Sequence, residues 1–165
     1  MKFKRVAAAV AVTFSLVCAS SQAVAACWSP AHVEAAQVRD FETMLMVATL
    51  RCQIKGVDLS GQYNQFIRDK RAVLTSINDE LRGKFIAEGL KGKAALDAYD
   101  RFVTSLANGY GSGIGALSCE EFGTLMGAAN GTASSRPALL DLAIRAGSDP
   151  VQDSNRCVPR LALAR

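Results

Sequence analysis

Val38-Arg39-Asp40-Phe41-Glu42-Thr43-Met44-Leu45-Met46-Val47-Ala48 decides the fold of this chain. Val38, Phe41, Leu45, Ala48 and, beyond the stretch, Cys52 recur at three- and four-residue steps, which is one face of an α-helix. Met44, Met46 and Val47 make other faces apolar as well. A helix that is apolar on most sides sits in the middle of its neighbours. Ser29 is suited to cap its start, Pro30 fits the first helical position, where a missing N–H costs nothing, and Gly56 is a natural stop.

The same periodicity continues on both sides of Gly56 and beyond, and β-branched alternation is rare. A second helix is predicted from about Ser60 to Ala87, with Tyr63, Phe66, Ile67, Val73, Leu74, Ile77, Leu81 and Phe85 as its apolar stripe. Beside that stripe runs a polar one: Asn64, Arg68, Arg71, Thr75 and Asn78. A third helix spans about Ala94 to Asn108, with Leu96, Tyr99, Phe102, Val103 and Leu106 turned inward. Ser118-Cys119-Glu120-Glu121 is a capping box that opens a fourth helix, ended by Asn130-Gly131. A fifth runs from about Arg136 to Arg145 and closes at Gly147, leaving an irregular tail from Ser148. The expectation is a single all-α domain over residues 26–165, a bundle of about five helices.

The first 25 residues read as a cleaved signal peptide. Met1-Lys2-Phe3-Lys4-Arg5 is a basic leader, Val6 to Val17 is apolar apart from Thr13 and Ser15, and Ala23-Val24-Ala25 offers small residues for cleavage. Of 5 cysteines, Cys18 leaves with the leader. Cys27, Cys52, Cys119 and Cys157 remain, an even set that reads as two disulfides in an oxidising compartment. Val24-Ala25-Ala26-Cys27 loosely resembles a lipoprotein processing box, but a lipid on Cys27 would strand one of the three other cysteines, so parity favours a soluble periplasmic or secreted protein. The full chain is formally +4. Lys2, Lys4 and Arg5 go with the leader, so the mature protein is close to neutral, which gives little support to nucleic-acid or anionic-membrane binding. No later stretch is long enough to span a bilayer.

Helix geometry restricts the disulfide pairing. Cys27 and Cys52 lie at opposite ends of the first helix, on the order of 33 Å apart, whereas bridged Cα atoms are roughly 4.4–6.8 Å apart. Short connections make successive helices antiparallel, so the fourth helix starts near the end of the first. That ordering predicts Cys52–Cys119 and Cys27–Cys157.

The motifs that carry chemistry are sparse. The 1 histidine, His32, forms an H-x-E pair with Glu34, but no P-C-x-x-C ligand set follows it, as a zinc deaminase requires. Asp40 cannot orient His32 from the same helix, since eight residues rise about 12 Å. Cys119 stands at a helix start, where thiol acidity increases, yet Glu120 and Glu121 oppose a thiolate. Gly111-x-Gly113-x-x-Ala116 matches a relaxed dinucleotide fingerprint, and Gly111-x-Gly113-x-Gly115 resembles a methyltransferase glycine loop. Both work only where a strand feeds the glycines, and here a helix does. No metal ligand set, cofactor or catalytic residue is therefore assigned. Glu42 is the most informative single residue: a carboxylate on a central helix must find a partner. Arg39 at i−3 and the polar stripe of the second helix, including Asn64, Arg68, Arg71 and Asn78, are its candidate partners, and Glu42 with Arg39, Asn64, Arg71 and Asn78 is the candidate ligand-binding set.

Trp28-Ser29-Pro30, the run from Val38 to Met46, Leu50-Arg51-Cys52, Tyr63-Asn64-Gln65-Phe66 and Ser105-Leu106-Ala107-Asn108-Gly109-Tyr110-Gly111 together resemble a family of small exported bacterial helical proteins of unknown function. Some of its members carry the label S-adenosyl-L-homocysteine hydrolase. That hydrolase is several times longer, cytoplasmic and NAD-dependent, so the resemblance implies a fold and a compartment and no catalytic residues. The functional expectation is a non-enzymatic periplasmic binding or inhibitor-like module whose partner is left open among an envelope protein, a cell-wall fragment and a small ligand. The alternative is a small envelope enzyme, for example one acting on peptidoglycan, with Glu42 or another carboxylate as general acid.

Overall fold

The computed structural model describes residues 27–111 and 117–157. The predicted signal peptide, the candidate processing box ahead of Cys27 and residues 112–116 of the glycine segment lie outside the described residues. Five α-helices follow one another: α1 (Pro30–Ile54), α2 (Ser60–Ala87), α3 (Lys93–Gly109), α4 (Cys119–Gly131) and α5 (Arg136–Arg145). A short 3-10 turn, Asp153–Asn155, precedes the end of the described chain. Among the described residues there is no strand, only an isolated bridge between Trp28 and Arg156. The protein is an all-α bundle.

α1 is the central helix, and all four of the others pack against it. Ser29 accepts a hydrogen bond from the His32 backbone N–H and Pro30 occupies the first turn, as the local sequence dictates. Val38, Phe41, Leu45 and Ala48 are fully buried. The ends of α1 and α5 share one device. Gly56 (φ +83°) lets its own N–H reach the Gln53 carbonyl and the Val57 N–H reach Cys52. Gly147 (φ +78°) does the same for Ile144 and, through Ser148, for Ala143. Only glycine takes this left-handed turn without strain, and the turn satisfies the last carbonyls of each helix.

Cys27 is bonded to Cys157, with Cα atoms 4.9 Å apart, and Cys52 to Cys119, at 5.6 Å. These are the pairs that alternating helix directions demand. The first joins the two ends of the described chain, where Trp28 N–H donates to Asn155 and Cys157 N–H donates to Trp28. The second ties the end of α1 to the start of α4.

One expectation about α3 is corrected. Leu96 does not face inward; it is 51 % exposed. Tyr99 and Leu106 are buried and Phe102 and Val103 are half-buried against the core. Ala95 and Ala98 take the buried positions near Leu96, because small side chains let the start of α3 approach its neighbours closely.

Candidate functional site

Three groupings of polar and apolar side chains stand out, and each is placed by α1. The first is the Arg39–Glu42 pair. Arg39 Nη1 lies 2.5 Å from Glu42 Oε2, one turn along the helix, and both side chains are mostly buried. Tyr63 from α2 and Tyr99 from α3 flank this pair closely enough to feel its charges. Burial pushes the Tyr63 hydroxyl up to about 12, with the Glu42 charge adding to the effect. Tyr99 donates to Asn78 Oδ1 at 2.9 Å, and the Arg82 guanidinium sits 5.1 Å from the Tyr99 ring centroid. So the partner of Glu42 is Arg39. Asn78 belongs to the neighbouring tyrosine contact, while Asn64 and Arg71 are exposed on α2 and are not drawn to the pair.

The second grouping centres on Asp40, whose place the sequence reading missed. Asp40 is 6 % exposed. Tyr110, just past the end of α3, donates to its Oδ2 at 2.8 Å, and the hydroxyl of Ser148, just past α5, lies 2.6 Å from the same oxygen and 2.8 Å from the Gln37 carbonyl, sharing its one proton between them. Gln37, one turn back on α1, donates to the Ser148 carbonyl at 3.2 Å. Burial raises the Asp40 carboxyl above the usual aspartate range; the two hydroxyl bonds oppose that rise and nearby Asp149 adds to it. The Tyr110 hydroxyl is likewise driven up by burial and by the Asp40 charge. A local signal was present: Asp40 has Ala36 at i−4 and Met44 at i+4, so it interrupts an apolar face in the same way as a buried residue would.

The third is an apolar groove of about 460 Å³ between α4 and α5, with α1 as its floor. Met44, Leu125, Ala128, Leu142 and Ala146 line it, and Leu117 stands at one end, 46 % exposed. Thr124, Glu121 and Arg145 supply its polar edge. Glu121 completes the capping box with Ser118, which holds its carboxyl below the usual range. Arg145 pairs with Asp141 at 2.8 Å.

Other sequence motifs find structural settings. His32 contributes its backbone N–H to the α1 cap. Cys119 is in a disulfide and carries no free thiol. The element ahead of the glycine segment is α3, a helix, and Arg51 grips the loop that begins there through the Tyr110 and Gly111 carbonyls. Lys70, 3 % exposed, donates to the Asn130 and Thr132 carbonyls and so caps the end of α4. Lys84, equally buried, pairs with Glu88 and lies 4.2 Å from the Trp28 ring centroid. Among the described residues no three His, Cys, Asp or Glu side chains gather as a metal site, and no helix is long and apolar enough to cross a membrane. Compared with family models, curated proteins and solved structures, the chain matches none.

Proposed function

We propose that this chain is an exported binding module that takes an apolar segment of an envelope protein into the α4–α5 groove. The groove carries the reading: a concavity of this size lined mainly by apolar side chains, with a few polar groups at its edge, is what a recognition surface requires. Glu121 and Arg145 at the edge fit a partner segment with a base and an acid flanking its apolar residues. The leader-like residues 1–25, the resemblance to small exported proteins and the two disulfides support a periplasmic or secreted setting. A cell-wall fragment is the less favoured occupant, because glycan and its peptides are polar. The enzyme alternative draws on one observation, the raised carboxyl of Asp40. That carboxylate is occupied by two hydroxyls and is not among the groove-lining residues.

Photo-crosslinking in intact cells tests the proposal. A photoreactive residue at Thr124, in the groove, is compared with one at Thr104, exposed on α3. A protein adduct at Thr124 that is absent at Thr104 and lost when Ala128→Arg fills the groove is the expected result. A glycan adduct, no adduct, or equal labelling at both positions would overturn it.

A further inference from the structure

We infer that Asp40, Tyr110 and Ser148 form a proton-controlled latch that holds the ends of α3 and α5 against α1. The geometry is that of a single acceptor gathering two chain segments. Tyr110 and Ser148 come from places 38 residues apart in sequence; Tyr110 donates to Asp40 Oδ2, and the single Ser148 hydroxyl proton is shared between that oxygen and the Gln37 carbonyl. A proton can therefore settle on Oδ1 without breaking either bond. Ser148 is placed there by the glycine turn that ends α5, its N–H is spent on the Ala143 carbonyl, and Gln37 of α1 contacts both its carbonyl and its hydroxyl, so the serine moves only if that turn opens and the Gln37 contacts part. On the other side, Arg51 holds the Tyr110 and Gly111 carbonyls, which ties the end of α3 to the same face of α1.

Opening the latch returns Asp40 to water, where its carboxyl titrates in the ordinary range. Closed, burial raises it. The neutral acid therefore favours the closed form, and ionisation favours opening. The latch is tightest below the ordinary aspartate range and loosens as pH rises through the Asp40 midpoint. The charged groups around it act in the same sense or are engaged elsewhere. Asp149, next to Ser148, raises Asp40 further and is itself paired with Arg156. Arg39 is held by Glu42 on another face of α1, and Arg51 by the two carbonyls. The Tyr110 hydroxyl keeps its proton throughout, because burial and Asp40 both oppose its loss. Ala146, two residues before Ser148, lines the α4–α5 groove, so the latch also sets the mobility of that wall; this last consequence rests on the proposed binding function.

The test needs no ligand, so its failure is separate from failure of the groove reading. The Asp40 carboxyl carbon is followed by NMR against pH in the oxidised protein, together with hydrogen exchange at the Tyr110, Ala146 and Ser148 amides, corrected for intrinsic base catalysis. The Asp40 midpoint is expected above the ordinary aspartate range. Protection should fall as pH rises through that midpoint, by the factor separating the acid constants of the closed and open forms. Asp40→Asn should remove the step. Ser148→Ala should raise the midpoint further, since it deletes a bond that favours the charge, and should lower protection at Ala146 even in acid. A midpoint in the ordinary range, protection unchanged across it, the same step in Asp40→Asn, or an unshifted midpoint in Ser148→Ala would each overturn the latch.

Discussion

The side of the bundle where α1, α2 and α3 meet, and the side where α4 lies mainly on α2 and α5 on α1, are held together differently. In the first, large side chains close the space. Phe41 meets Phe66 edge-on with ring centroids 6.4 Å apart, and Trp28 meets Phe102 at 5.2 Å. The charges there are paired or stacked within the interface: Arg39 with Glu42, Lys84 with Glu88 and the Trp28 ring. In the second, the helices are short, 13 and 10 residues, and they bury fewer large side chains, chiefly Phe122, Met126, Leu139 and Leu142 beside Ala129 and Ala143. They are fastened at their ends by Cys52–Cys119, by Lys70 on the α4 carbonyls and by Ser148 on Asp40. The apolar groove lies between the two short helices. On the proposed function, the first side supplies stability and the second recognition.

Five variants would break or sharpen that contrast. Phe41→Ala has the largest expected effect, because it removes a fully buried ring from the aromatic half: about 3–5 kcal/mol by chemical denaturation. A loss below 1.5 kcal/mol, on the order of a conservative core swap, would mean that bulk does not secure this half. Removing the Cys52–Cys119 bridge by double alanine substitution should cost about 2–4 kcal/mol, with the gain in hydrogen exchange concentrated in α4; exchange spread evenly over α2 and α3 would erase the contrast. Glu42→Ala should cost about 1–3 kcal/mol, since it leaves the buried Arg39 guanidinium without its partner. Asp79→Ala, which breaks the exposed pair with Arg82, should change stability by less than about 1 kcal/mol. Equal melting temperatures for those two variants would place Glu42 in effect at the surface. Ala128→Arg should be the mildest, within about 0.5 kcal/mol, because its position is exposed and faces the groove. A large loss there would show that the groove is part of the packing rather than open to a partner.

Much of the architecture was legible because it depends on local chemistry. Pro30 after Ser29, the capping box at Ser118 and the glycines at 56 and 147 mark helix ends by rules that act within a turn, and the helices run where those rules place them. The disulfide pairing followed from helix direction alone. What could not be read was the outcome of competition between faces. Glu42 and Asp40 are two residues apart, on roughly opposite faces of one helix, and each has apolar residues four positions away on both sides. Glu42 finds Arg39 within its own helix, a partner the spacing announces. Asp40 finds Tyr110 and Ser148, 70 and 108 residues away, whose convergence depends on how α3 and α5 end. The exposed Leu96 has the same origin: the helical period fixes which residues share a face, but which face turns inward is decided by the neighbour. The groove was illegible for a related reason, since a gap between helices leaves no motif in either of them.

Because Cys27 and Cys157 are bonded where the chain enters and leaves the bundle, any pull applied through flanking polypeptide passes across that one sulfur bridge. The helices lie outside the line of tension and need not unravel when the protein is tugged from either side. Reducing that bond alone would convert a mechanically inert bead into an extensible one, a change that single-molecule stretching would register as a sudden increase in contour length.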